Sequence, residues 1–170
     1  KILPGKDLLS MKVRMFQADD IQAMTDIWNE VVAQGIAFPP EEPLNEQTAE
    51  QFFSSQSRSA VAVDDSGRIA GLYILHPNNV GRCGHICNAS YAVASDCRGM
   101  HIGEALVRDC IQAAGQLGFR ILQFNAVVET NTAARRLYEK IGFHQLGVIP
   151  KGFRMKDGHY ENICPYYIEL

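Results

Sequence analysis

Apolar residues recur along this chain in two periods, and each change of period marks an element. Residues 13–16 alternate and predict a first strand. Ile21, Met24, Ile27, Trp28, Val31 and Val32 then fall at helical spacing. Asp19 or Asp20 can cap that helix, and Gly35 stops it. Pro39, Pro40 and Pro43 keep residues 34–43 a loop. Residues 46–56 predict a second helix, with Phe52 and Phe53 inward. Residues 60–63 and 69–75 read as two strands of a hairpin about the turn Asp64-Asp65-Ser66-Gly67. A loop rich in Asn and Gly, 77–84, leads to a strand at 86–93.

Residues 101–117 carry the longest helical stripe: Ile102, Ala105, Leu106, Cys110, Ile111, Ala114 and Leu117, with Gly118 at the end. Residues 120–128 are the most strand-like run. Thr130, Asn131 and Thr132 offer caps for a helix that reaches Ile141 and stops at Gly142. Residues 143–149 and 164–170 predict two last strands, with a loop between them that carries Gly152, Asp157 and Gly158. The strand–helix–strand unit at 85–128 implies a parallel pair, and the hairpin implies antiparallel ones. The expectation is one domain over residues 11–170, a mixed sheet with helices on both faces. Residues 1–10 read as a leader or tag-like segment ahead of Met11.

At 170 residues, 46% hydrophobic and 21% charged, the composition is that of a globular domain with one core. No apolar run approaches bilayer-spanning length, so no membrane partner is expected. A net charge of −3 with no basic run lacks the electrostatic footprint of nucleic-acid binding. Five cysteines scattered singly suit a reducing cytoplasm better than a disulfide framework. Cys83, His85 and Cys87 invite a metal reading. Residues 85 and 87 fall on the entering strand, however, and no second ligand pair stands at zinc spacing, so no metal is expected.

The first candidate chemistry lies between Ala89 and Gly103. A strand runs into the polar turn Ser95-Asp96-Cys97, and Arg98-Gly99-Met100-His101-Ile102-Gly103 opens the long helix. A glycine-bearing turn into a helix start presents free backbone N–H groups and the positive end of a helix dipole, which suits a phosphate. A Rossmann dinucleotide site is disfavoured: the turn follows the fourth strand, and no acidic residue ends the next strand to hold a ribose.

From Val13 to Leu170, and most strongly from Tyr91 to Phe143, the chain resembles the GNAT superfamily of acyl-CoA N-acyltransferases. The run Arg98 to Gly103 resembles that family's Gln/Arg-x-x-Gly-x-Gly/Ala signature. Asn131-Thr-Ala-Ala134-Arg-Arg-Leu137-Tyr138-Glu-Lys-Ile-Gly142-Phe143 resembles its second, Asn-x-x-Ala/Ser-x-x-Leu-Tyr-x-x-x-Gly-Phe. His101 stands where the first signature has its central glycine. If that position needs φ > 0, the histidine is strained. Its ring either meets a CoA phosphate or faces solvent. More loosely, Ile27-Trp28-Asn29-Glu30 and the loop of Phe38, Glu41 and Glu42 resemble the branch that acetylates phosphinothricin and amino-acid analogues.

The resemblance implies an α/β (α+β) fold with a mixed, mostly antiparallel central sheet of about seven strands and a splayed parallel pair. It implies acetyl-CoA as cosubstrate, with its diphosphate on Arg98, Gly99, Met100, His101, Ile102 and Gly103. It places the pantetheine arm along Tyr91, Val93 and Ala94, with Asn131 beside it. The N–H near Val93 would polarise the thioester carbonyl. Tyr138 is the implied acid for the leaving thiolate, and a phenol pKa of about 10 keeps it protonated at neutral pH. An α-amine is free base to roughly a tenth at pH 7 and needs little help from a base, unlike a lysine side chain. The base is left open among Glu30, His85, Asp96, Glu129 and a water chain. Glu30, Phe38, Glu41 and Tyr160 are the candidate acceptor-pocket residues, flanked by loops 34–42 and 151–162.

The leading expectation is acetyl transfer to the primary amine of a small, amino-acid-like molecule. A protein N-terminal or lysine acetyltransferase is the alternative within the class. A non-catalytic acyl-CoA-binding module is the alternative outside it. A homodimer is left open, since no interface element is legible.

Overall fold

The computed structural model describes residues 11–170; the leader-like segment 1–10 lies outside the described residues. β1 (Lys12–Met15) leads through a short 3-10 turn into α1 (Ile21–Gln34), and α2 (Glu46–Ser54) follows. β2 (Arg58–Val63) and β3 (Ile69–Pro77) form the expected hairpin. β4 (Ile86–Val93), α3 (Ile102–Gln116) and β5 (Ile121–Val128) make the crossover unit. α4 (Thr132–Ile141) precedes β6 (His144–Gln145), β7 (Ile149–Arg154) and β8 (Tyr160–Glu169).

The eight strands among the described residues lie in one sheet, ordered β1-β2-β3-β4-β5-β8-β6, with β7 also on β8. Every pairing is antiparallel except β4–β5. Residues 70–75 of β3 are all buried, and alternate side chains point to opposite faces, so both faces of the sheet are covered there. α3 packs on β2, β3 and β4, while α1 and α2 also pack on β2, β3 and β4. α3 lies very close to the sheet. A Cβ at Gly71 would come within 3.1 Å of Ile102 and Leu106 of α3.

Three local expectations change. Asp20 stands at the start of α1 but makes no cap bond. Its carboxylate accepts instead from the Arg14 guanidinium (2.6 and 3.1 Å) and the Gln17 N–H (2.7 Å). The predicted strand 143–149 shrinks to His144–Gln145, because Gly147 interrupts it and pairing resumes at Ile149. The predicted loop 151–162 contains most of a hairpin, β7 and the start of β8. In β7 only Phe153 is buried. An edge strand with one buried side chain leaves no alternation to read.

Candidate active site

The parallel ladder between β4 and β5 stops almost as soon as it starts. Ile86 pairs with Ile121 and Cys87 with Leu122, and no later residues pair. At that point the Asn88 side chain takes over, donating from Nδ2 to the Gln123 carbonyl at 2.8 Å. Beyond it the strands part, and a cavity of about 310 Å³ opens between Ala89–Tyr91 on one side and Phe124–Val128 on the other. β5 is bulged here: two residues, Asn125 and Ala126, oppose the lone Pro165 of β8. Proline has no N–H for the ladder, so the bulge falls where a bond could not form.

The split leaves backbone groups facing the gap. The Ala94 N–H donates to Ala70 of β3 at 2.9 Å, and antiparallel alternation sends the N–H groups of Tyr91 and Val93 the other way, toward the β5 side; Tyr91 lines the cavity, whereas Val93 lies past its lining. Ala94, expected to touch the cofactor, is therefore committed to β3 and buried.

At the end of β4 a short turn delivers the chain to α3. Gly99 (φ 78°) and His101 (φ 60°) are both left-handed. The positive φ at His101 is the strained case foreseen for a side chain in a glycine position. The N–H groups of Gly99, Met100, His101, Ile102 and Gly103 meet no acceptor among the described residues. With the α3 dipole behind them they form an anion cradle. The Ile102 side chain is core, so that residue offers only its backbone; Met100 is exposed. Arg98 is turned away, its guanidinium on Gln34 of α1 at 2.9 Å.

Tyr138 closes the same cavity from α4. Its ring lies 4.5 Å from Phe124, 5.6 Å from Phe143 and 6.0 Å from Tyr166, centroid to centroid. Its hydroxyl has no hydrogen-bond partner among the described residues. Burial pushes its pKa up, helped by Cys110 and Tyr166, so it stays protonated well past neutrality. Asn131 also lines the cavity while its Oδ1 caps α4 through the Ala134 N–H at 3.3 Å. The Tyr91 hydroxyl is buried with the Cys110 thiol as its polar neighbour, and its ring packs between Tyr73 and Phe124.

A profile of the Acetyltransferase (GNAT) family matches residues 22–143. The chain belongs to the GNAT acetyltransferase family. It is 28% identical over 162 residues to the N-acetyltransferase aca1 of Schizosaccharomyces pombe, covering 86% of this chain and 77% of that one. The GCN5-related N-acetyltransferase of Kribbella flavida is 34% identical, with a TM-score of 0.87 over 94% of this chain and 98% of that one. The phosphinothricin acetyltransferase of Sinorhizobium meliloti, solved with AcCoA, shares the fold at a TM-score of 0.88 and 22% identity, over 95% and 89% of the two chains.

This GNAT enzyme has a second cavity, of about 600 Å³, between residues 32–41 and the β7–β8 hairpin. Phe38 and Pro39 line both cavities. Phe38 is held by Trp28, ring centroids 4.6 Å apart. Glu41 and Arg154 form an ion pair on the second cavity's wall. The hairpin is fastened to the end of α1: Lys156 donates its N–H to Gly35 (3.0 Å) and its ammonium to Ala33 (2.9 Å). Gly35 (φ 62°) could carry no side chain, since a Cβ would lie 2.7 Å from Lys156 Cβ. Phe38 and Glu41 thus sit at this cavity, whereas Glu30 and the exposed Tyr160 line neither.

The base candidates scatter. Asp96 is bound to Arg68 at 2.6 Å on the surface. His85 is exposed at the far end of β4, where its carbonyl takes the Arg120 N–H. Glu129 is different: it follows Val128 of the cavity wall and accepts from Asn162 Nδ2 at 2.8 Å. Cys87 is buried, its thiol donating to the Ile121 carbonyl and its pKa pushed up to about 12 by burial. Cys83 is exposed, and no cluster of three or more His, Cys, Asp or Glu that could hold a metal occurs among the described residues.

Proposed function

We propose that this GNAT enzyme acetylates the primary amine of a small, amino-acid-like molecule with acetyl-CoA as donor. The observation that carries the acceptor class is the meeting of two cavities at Phe38 and Pro39. One lies between the split strands and meets the cradle at Gly103, the other is walled by the β7–β8 hairpin with both charge signs on it. A cavity of about 600 Å³ with charges of both signs on its wall has the size and polarity for a small acceptor.

Acetyl-CoA, when bound, supplies an acyl thioester. The chain's own groups then have defined tasks. The unpaired N–H groups of Gly99 to Gly103 hold the diphosphate. The Val93 N–H, aimed across the gap, polarises the thioester carbonyl. The free-base amine attacks that carbonyl carbon from the Phe38 side, a C–N bond forms and the C–S bond breaks. Tyr138 gives its proton to the departing sulfur, and the amine loses one proton to Glu129 or water. The fit rests on free donors in the cradle, an unfilled split between strands and an unpartnered hydroxyl inside it.

The test is thiol release from acetyl-CoA against free amino acids, polyamines, aminoglycosides and peptides. Turnover with one class of small primary amine is expected. Turnover confined to peptides contradicts the acceptor class, and binding without turnover on any amine makes the chain a binding module.

A further inference from the structure

Glu104 lies in the first turn of α3, where a carboxylate already has the helix dipole for company. It is surrounded by cations. Its Oε1 takes the Arg108 guanidinium at 2.9 and 3.1 Å, and its Oε2 takes the Lys140 ammonium of α4 at 3.0 Å. The His101 Nδ1 stands 3.8 Å from the same Oε2. The carboxylate is the sheltered member: its side chain is 19% exposed, against 55% for Arg108, 60% for Lys140 and 75% for His101. The cluster therefore shows water a positive face with an anion at its hub. Lys140 and then Arg108 hold the Glu104 carboxyl below its ordinary range, so the hub stays ionised.

The position of this face is the second observation. Arg108 reaches back toward the start of α3, as helical side chains do, so its guanidinium lies one turn below the cradle. Lys140 comes from the last turn of α4, and the two helices approach there: a Cβ on Gly103 would lie 3.6 Å from Leu137. Arg98, the cation that the turn itself contributes, is spent on Gln34 on the opposite side. Arg108 and Lys140 are thus two cations beside the cradle at the α3–α4 contact, with one positive charge more than Glu104 cancels.

We propose that Arg108 and Lys140, held in place by Glu104, bind the ribose 3′-phosphate of the CoA nucleotide. The proposal rests on the acetyl-CoA reading above. With the diphosphate on the N–H groups of 99–103, a ribose directed along the outside of α3 brings its 3′-phosphate dianion to this face. Glu104 keeps both cations extended in advance, so little side-chain entropy is lost when the phosphate arrives.

The experiment is calorimetric titration at pH 8, where the phosphate is a dianion. Acetyl-CoA is compared with 3′-dephospho-acetyl-CoA. The native protein is expected to bind acetyl-CoA about fivefold or more tightly, a ratio that shrinks with added salt. In the double variant Arg108→Gln/Lys140→Gln the ratio falls to about one, the loss falling on acetyl-CoA alone. A native ratio near one, or a ratio that survives the double variant, overturns the proposal while leaving the acetyl donor intact. Binding of neither ligand by the native protein overturns the donor reading and this assignment with it. Millimolar inorganic phosphate that abolishes the ratio at constant ionic strength makes the cluster a general anion site and overturns the ribose assignment.

Discussion

Asn88 of β4 donates its side-chain amide to the carbonyl of Gln123 in β5 at 2.8 Å, immediately after the last backbone pair, Cys87–Leu122. A side chain thus ends the ladder and begins the cleft. Asn88→Ala removes the bond, and about 1 kcal/mol of stability is expected to go with it. The strands are then free to close or to drift, and kcat/KM for acetyl-CoA should fall roughly tenfold. Asn88→Asp should be worse, because a carboxylate faces a carbonyl. Steady-state kinetics with thermal unfolding of both variants checks this; unchanged kcat/KM removes Asn88 from the account.

Tyr138→Phe deletes a hydroxyl that accepts from and donates to no group among the described residues. A fall in kcat of about 10²- to 10⁴-fold with little change in KM is expected. Burial places the hydroxyl's folded pKa above its ordinary value of about 10. The acid is therefore protonated throughout the range pH 6 to 10, and any alkaline loss of rate belongs to another group. Native and variant pH–rate profiles should show the same alkaline limb.

Much of this was legible beforehand, for physical reasons. The Asn131-to-Phe143 signature has fixed helical spacing, so Tyr138 and Asn131 had to share a face near the turn. The glycine-bearing turn fixed the cradle. What was not legible depended on partners distant in sequence. Ala94 looked free until its N–H met Ala70. Asn88 takes its role from Gln123, 35 residues away, although an amide between Cys87 and Ala89 in a mostly apolar run is a usable signal. β7 hid because it has one buried side chain, and Glu129 gained meaning only from Asn162, 33 residues away.

His101 adopts φ 60° without being glycine or asparagine. His101→Gly should raise stability by about 0.5–1 kcal/mol, the relief of left-handed strain less the entropy of a freer unfolded chain. His101→Ala keeps the strain and should give no gain. Urea midpoints of the two variants separate strain from loss of the ring; equal midpoints contradict it.

The Asp20 carboxyl titrates below its ordinary value, chiefly because of the Arg14 hydrogen bond. A depressed folded pKa means stability present above the unfolded pKa of about 4 and lost as pH falls through the folded one. Asp20→Asn should therefore cost about 2 kcal/mol at pH 7 and almost nothing near pH 2. Urea unfolding of both proteins at the two pH values measures the difference, and a cost independent of pH would contradict it.

The most direct test of the central claim is residue-resolved: backbone amide NMR of the full chain during titration with acetyl-CoA. The N–H signals of Gly99 to Gly103, and those of Tyr91 and Val93 facing the split, should move most and saturate together. Saturable shifts confined to other parts of the sheet, or none at all, would contradict the placement of the donor between β4 and β5.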